Sequence, residues 1–244
     1  MNIGVYGLGR FGKFWAALLA RKFGTVSAFS RTPKKDLPKG VNWVSQEDIL
    51  QTDALFMCVS ISSFSELVHS IAPRLKPGMV LFDTCSVKVF PAEVMERELP
   101  ETVQAVATHP MFGPDSGKNG VAGLPMVMHP VRCRPGVFNH WTGIFKSLEL
   151  DVIEMSPDEH DHQAAYTQGV THFIGRVLQG LELRESRIGT VGYHKLLDIV
   201  EQTCNDPLQL FHDLQRYNPY TGEMRNAVFE SFQYTLKMLE EDMR

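Results

Sequence analysis

Short apolar runs recur along the first two thirds of the chain, and stretches with helical spacing lie between them. The runs at 2–6, 26–29, 54–59 and 79–83 predict β-strands, and those at 103–107, 125–129 and 151–154 extend the series. Residues 10–23 (RFGKFWAALLARKF) and 64–75 (FSELVHSIAPRL) return apolar side chains every three or four positions, the mark of a helix with one buried face. Strands that alternate with helices predict a parallel sheet covered on both sides, because each parallel crossover needs a long connection. From 156 onward the texture changes: helical patterns run on, broken only around 185–192 and 218–222, and no strand-like run appears. Ser156-Pro157-Asp158-Glu159 can open the first of these helices, with serine as N-cap, proline at the first helical position and glutamate in the capping-box place. The pattern therefore predicts two domains, 1–154 and 155–244.

Composition narrows the class. With 24 basic and 28 acidic residues the net charge is −4, which argues against a nucleic-acid or anionic-membrane partner. No apolar run approaches the roughly 18 residues of a membrane span. The start, MNIGVYGLG, has no basic segment of the kind that opens a secretory signal. Cys58, Cys85, Cys133 and Cys204 lie far apart without a CxxC pair, so free thiols in a cytoplasmic protein are expected rather than a zinc or disulfide framework.

Gly7-Leu8-Gly9-Arg10-Phe11-Gly12 stands directly between the first strand and the first helix. The first glycine allows the tight turn, the second lets backbone approach a pyrophosphate, and the third lets helix and strand pack closely. This placement predicts a Rossmann-type dinucleotide site. The end of the second strand then bears on which dinucleotide is taken. An NAD site usually carries an acid there for the ribose hydroxyls, but the chain reads Ser30-Arg31-Thr32-Pro33-Lys34-Lys35, with no acid until Asp36. A serine, an arginine and nearby lysines suit a 2′-phosphate, so NADP is expected as cofactor with Ser30-Arg31-Thr32 as its loop, an ordinary basic loop being the alternative.

Two further motifs fall at strand ends on the side of the glycine turn. Asp83-Thr84-Cys85-Ser86-Val87-Lys88 follows the fourth predicted strand, and Thr108-His109-Pro110-Met111-Phe112-Gly113-Pro114 follows the fifth, where His109 is expected to open an irregular loop. A hydroxyl, an ammonium and an imidazole thus converge near the expected nicotinamide, which points to catalysis.

These two stretches resemble signatures of the prephenate/arogenate dehydrogenases of tyrosine biosynthesis. So do Asp158-Glu159-His160-Asp161, Gln168-Gly169-Val170-Thr171-His172-Phe173, and, in the arogenate-using branch, Gly192-Tyr193-His194-Lys195 and Glu201-Gln202-Thr203-Cys204-Asn205-Asp206. The resemblance runs over essentially the whole chain. It implies an α/β fold with an N-terminal Rossmann-type sheet followed by a smaller all-helical dimerisation domain. The implied substrate is a small cyclohexadienol with a carboxylate across the ring. Its carbinol hydride passes to NADP, its hydroxyl proton to a base, and carbon dioxide leaves as the ring becomes aromatic. The leaving electrons enter the ring, so no metal is expected. By resemblance and by chemistry His109 is that base, since imidazole titrates near neutrality. Ser86 would bond the same hydroxyl or the imidazole. Lys88 would bind substrate or simply pair with Asp83.

In the helical part, Asp161, Gln168, His172 and Arg176 make a polar stripe at helical spacing, either a solvated face or a roof over the substrate. The crowded Asp158-Glu159-His160-Asp161-His162 points its members in different directions, which argues against a metal site. Many prephenate-using relatives carry an arginine where this chain reads Asp198-Ile199-Val200-Glu201-Gln202. The ring carboxylate would then fall to Arg176, Lys195 or a residue of a second copy. An acid at the position of Asp206 accompanies arogenate use in the family pattern, a turn acid before Pro207 being the alternative. The apolar stretches LLDIV and VFESFQYTLKML agree with a homodimer through the helical domain. Three other functions fit parts of the pattern: a prephenate or dual-substrate enzyme, a β-hydroxyacid dehydrogenase, and a non-catalytic dinucleotide sensor. The second wants a lysine on the first long helix of its second domain, and 156–184 holds none. The Ser86/His109 pair argues against the third.

Overall fold

Eight strands form one sheet in the order β3-β2-β1-β4-β5-β6-β7-β8. They are β1 Ile3–Tyr6, β2 Val26–Phe29, β3 Val41–Trp43, β4 Ala54–Met57, β5 Val80–Asp83, β6 Gln104–Pro110, β7 Pro125–Arg132 and β8 Asp151–Glu154. The helices α1 Arg10–Phe23, α2 Gln46–Ile49, α3 Ile61–Ile71, α4 Val89–Glu98 and α5 Pro135–Lys146 connect them. This is the arrangement of a computed structural model that describes residues 1–241; residues 242–244, the end of the expected helical domain, lie outside the described residues. The fold class is Rossmann-type α/β, with strand order reversing between β1 and β4.

Two expectations change. The sheet is not wholly parallel: β6 and β7 pair antiparallel, with Thr108 opposite Met128 and His109 opposite Val127, so β7 and the β8 parallel to it run against the first six strands. The cause is the connection. Residues 111–124 return the chain through a loop with no crossover helix, and such a return reverses the strand. The hydropathy pattern also misses β3, α2, α4 and α5. β3 has three residues with only Val41 buried, too few to show a period. α4 carries Pro91 in its first turn, where proline is tolerated but reads as a break.

The core is a set of interlocked rings between the sheet and α1 and α5. Phe56 of β4 stacks on Phe82 of β5 at 4.5 Å, and Trp141 of α5 meets the two edge-on at 5.6 and 4.8 Å. Trp15 of α1 meets Phe56 at 5.7 Å and Phe145 at 6.0 Å. All five rings are buried, and each displaces a large area from water while holding the sheet rigid beneath the glycine turn.

The chain divides into two compact units, 1–160 and 161–244. The division lies within α6, Pro157–Ala164, whose start is capped as the tetrapeptide predicts: Glu159 N–H donates to Ser156 Oγ at 3.2 Å. A single π-helical turn, Ala165–Gly169, follows, then α7 Val170–Gln179, α8 Val191–Cys204, α9 Leu208–Tyr217 and α10 Thr221–Glu241. The second unit buries Ala164, Ala165, Leu214 and Met224 together with several polar side chains. Asp161, His172, Thr203, Asp213, Asn218 and Thr221 are buried, whereas Val177, Leu181, Phe229, Phe232, Leu236 and Leu239 are exposed. No described helix is long and apolar enough to cross a membrane.

Phe56→Ala is expected to lower unfolding free energy by about 3–5 kcal/mol, the range for deleting a buried ring. Urea denaturation followed by tryptophan fluorescence reads it, since Trp15, Trp43 and Trp141 all lie in the first unit. A loss below about 1 kcal/mol would mean the site relaxes and the stack is not the anchor.

Candidate active site

β1 delivers the chain into the glycine turn at the point where strand order reverses, the crevice where open α/β sheets bind ligands. Gly7 has φ 106°, a left-handed conformation, and its N–H donates to the Phe29 carbonyl at 2.8 Å. A Cβ on Gly7 would lie 2.2 Å from the Cys58 carbonyl oxygen, and one on Gly12 would lie 1.9 Å from the Gly7 oxygen. Both glycines are thus demanded by the chain itself. Gly9 is different: a Cβ there would meet no described atom within 4 Å. The room beside Gly9, at the N-terminus of α1, fits a pyrophosphate, so the residues present suit a dinucleotide. Leu8 is buried, and Phe11 stacks on Trp15 at 5.8 Å, so both side chains belong to the core. Arg10 reaches Asp115, the aspartate of the loop after β6, at 2.5 Å.

At the end of β2, Ser30 Oγ donates to the Thr32 carbonyl at 2.7 Å, closing a small turn. The indole of Trp43 donates to the Ser30 carbonyl at 3.4 Å and so holds the turn from β3. Arg31 and Thr32 remain exposed.

The ends of β5 and β6 are tied by one buried charge. Asp83 accepts from Thr108 N–H at 2.9 Å and Cys85 N–H at 3.0 Å, and it pairs with Lys88. Lys88 also donates to the Thr108 carbonyl at 2.6 Å, and the Thr108 hydroxyl donates to the Asp83 carbonyl. Burial raises the Asp83 carboxyl above the usual carboxylate range, and Lys88 and the two N–H groups pull the other way. Of the two roles expected for Lys88, the pairing with Asp83 is the geometry present.

His109 sits one residue further along β6. It is a buried strand residue opposite Val127 and not the first residue of a loop, because the antiparallel pairing with β7 carries the strand through Pro110. Its Nδ1 lies 2.8 Å from Nε2 of His160, also buried. Burial, then the nearby His160 and Lys88, hold the His109 imidazole well below the ordinary histidine range. It is therefore uncharged at neutral pH. Ser86 is half-buried in the bend between β5 and α4. The partner of His109 Nδ1 is His160, not Ser86.

The second unit, by itself, gathers the rest of the expected groups. Arg176 donates from Nη2 to the Asp206 carbonyl and from Nη1 to Gln179, each at 3.1 Å, and lies over the Phe211 ring. His172 is buried, which lowers its proton affinity, while the Asp206 carboxylate works against that. The stripe is not a solvated face, since Asp161 and His172 are buried and Gln168 and Arg176 half-buried. Gln168 Oε1, His172 Nδ1 and Arg176 Nε are buried with no hydrogen-bond partner among the described residues. Three such atoms on one stripe mark a place where a polar ligand would be welcome. Lys195 is exposed on α8. Among the described residues no group of three His, Cys, Asp or Glu side chains is placed to hold a metal ion.

Sequence reasoning missed three residues of this site. His160, in the acidic cluster at the start of α6, meets His109 across 51 positions, a separation that leaves no local trace. Asp115 and Trp43 reach the cofactor loops in the same non-local way.

Residues 27–125 match the family model described as "Prephenate dehydrogenase, nucleotide-binding domain", and residues 177–244 match "TYRAAT1-like, C-terminal domain". The chain is 36% identical to arogenate dehydrogenase 1, chloroplastic, of Arabidopsis thaliana, over 96% of this chain and 38% of that protein. It is 34% identical to arogenate dehydrogenase 2, chloroplastic, of the same plant, over 98% of this chain and 70% of that protein. The chain belongs to the prephenate/arogenate dehydrogenase family. It spans well under half the length of the first relative and more than two thirds of the second. The crystal structure of prephenate dehydrogenase from A. aeolicus, in complex with hydroxyphenyl propionate and NAD+, superposes with a TM-score of 0.74 at 17% identity, covering 99% of this chain and 90% of that one. At that identity it shows that this family member shares the fold.

In this member of the family, Lys88→Met is expected to cost roughly 3–5 kcal/mol by leaving the Asp83 carboxylate buried and unpaired. Pairing the change with Asp83→Asn should recover a large part of it. Urea midpoints of the two variants decide the matter: equal losses would show that the charge itself is not what Lys88 balances.

Proposed function

We propose that the chain is an NADP-dependent oxidoreductase that converts arogenate to tyrosine by oxidative decarboxylation. The observation that carries this reading is the buried, neutral His109 at the end of β6, on the side of the sheet where the glycine turn lies. NADP, when bound, supplies the acceptor for the carbinol hydride. His109 takes the hydroxyl proton as that hydride leaves and returns it to the ring oxygen as carbon dioxide departs and the ring becomes aromatic. The proton balance closes, which suits a base of low proton affinity. Ser86 steadies the same hydroxyl. Lys88 acts on substrate only indirectly, through the β5 and β6 ends it ties together.

Support for NADP comes from half-buried Ser30 and exposed Arg31 and Thr32, polar groups at the end of β2 where an acid would favour NAD. Support for arogenate comes from its amino-acid end, an ammonium that Asp206 would attract. We assign the substrate's other polar and anionic groups to Gln168, His172 and Arg176, whose buried atoms lack partners. Two copies assemble through the helical unit, whose outward residues Phe229, Phe232, Leu236 and Leu239 are too apolar to be left to water.

His109→Asn should lower turnover by about two to four orders of magnitude while NADP affinity by calorimetry stays close to wild type. In the wild type, kcat/KM should hold steady as pH falls through the ordinary histidine value of 6.5 and decline only below it, because burial keeps the base neutral there. An acid limb at or above that value, or a His109→Asn enzyme within a few-fold of wild type, refutes the base.

Paired kinetics on two substrates and two cofactors test the rest. NADP should be clearly preferred, and Ser30→Asp with Arg31→Ala should move preference towards NAD. Arogenate should exceed prephenate in kcat/KM by about ten- to a hundredfold, the value of one charge-assisted contact in a pocket. Asp206→Asn should lose most of that ratio and keep NADP-linked turnover of prephenate; an unchanged ratio would leave Asp206 as a turn residue only.

A further inference from the structure

His160 enters from the first turn of α6, where its own N–H donates to the Ser156 carbonyl at 2.9 Å and the capped start fixes the helix. It is 2% exposed, as is His109, and the two imidazoles meet at 65° with Nδ1 of one 2.8 Å from Nε2 of the other. We propose that His160 is the positioning residue of the base, and that it selects which nitrogen of His109 carries the proton. The inference rests on the reading of His109 as the base.

The argument is one of tautomers. A neutral imidazole has one N–H and one lone pair, and only the lone pair can take a substrate proton. Two ring nitrogens 2.8 Å apart share a single proton, so one donates and the other accepts. With His160 Nε2 as acceptor, the His109 proton is held on Nδ1 and the lone pair stands on Nε2, the nitrogen on the far side of the ring from His160. In the reverse arrangement Nε2 would be protonated and His109 could not act as a base through it. After proton uptake the Nδ1–H keeps its acceptor, so the cation forms without losing a bond. His160 does this as a neutral ring. A carboxylate in its place would raise the proton affinity of His109, whereas a second imidazole orients the base and leaves that affinity low. A base of that kind gives the proton back readily, as the aromatising ring requires.

Two measurements test this. Long-range proton–nitrogen spectra of histidine-labelled wild type with NADP bound should show His109 protonated at Nδ1, its signals identified by their loss in His109→Gln. A proton on Nε2 instead overturns the proposal, whatever the kinetics show. In the second, His160→Leu should lower kcat by about 10–100-fold while KM for NADP and for arogenate stays within about threefold. His160→Gln, which places an amide oxygen near the position of Nε2, should recover most of that kcat. A leucine variant within about threefold of wild type, or a folded glutamine variant no better than leucine, overturns the positioning role. Wild type inactive on both arogenate and prephenate would instead overturn the proposed function, while the spectra still report the tautomer.

Discussion

Asp83 is wholly buried at the end of β5, and a carboxylate can be there only because three donors converge on it: Lys88 Nζ and the N–H groups of Thr108 and Cys85. A charge taken out of water is costly unless every lone pair is met. Meeting them sets the register between the ends of β5 and β6, because Thr108 must present its N–H to Asp83 and its carbonyl to Lys88. His109, next in the chain, inherits its place and its burial from that constraint. The ion pair is therefore a matter of geometry more than of net stability.

Burial then sets the chemistry. A solvated imidazole would be partly protonated near neutrality, and one beside a carboxylate more so. His109 is buried, with His160 and Lys88 nearby, and all three disfavour its cation. Burial, with Lys88 of the strand-end tie adding to it, thus keeps His109 unprotonated.

The second unit obeys a different rule. Its helices bury several polar side chains beside a few apolar ones and leave large apolar side chains such as Phe229 and Phe232 exposed. Gly175 shows how tightly α7 and α8 nevertheless pack: a Cβ there would fall 2.0 Å from Thr203 Oγ1. Most of the buried polar groups bond within the unit: Asn218 donates to the Asp161 carbonyl, Thr221 to that of Asn218 and Thr203 to that of Ile199.

Much of this was legible in order along the chain. The strand and helix periods, the glycine turn, the Ser156 cap and the absence of an acid after β2 are properties of consecutive residues, and local sterics and capping chemistry act over that range. His109 and Ser86 stood out for the same reason, as reactive side chains just after strand-like runs. Tertiary structure alone decided the rest. The reversal of β7 depends on a loop whose conformation carries no period. The tie between Thr108 and Asp83, the Arg10–Asp115 pair and the junction of His109 with His160 join residues far apart in the chain. Burial and long-range pairing are settled by the packed whole, because a side chain's neighbours in space come from segments that share no local pattern.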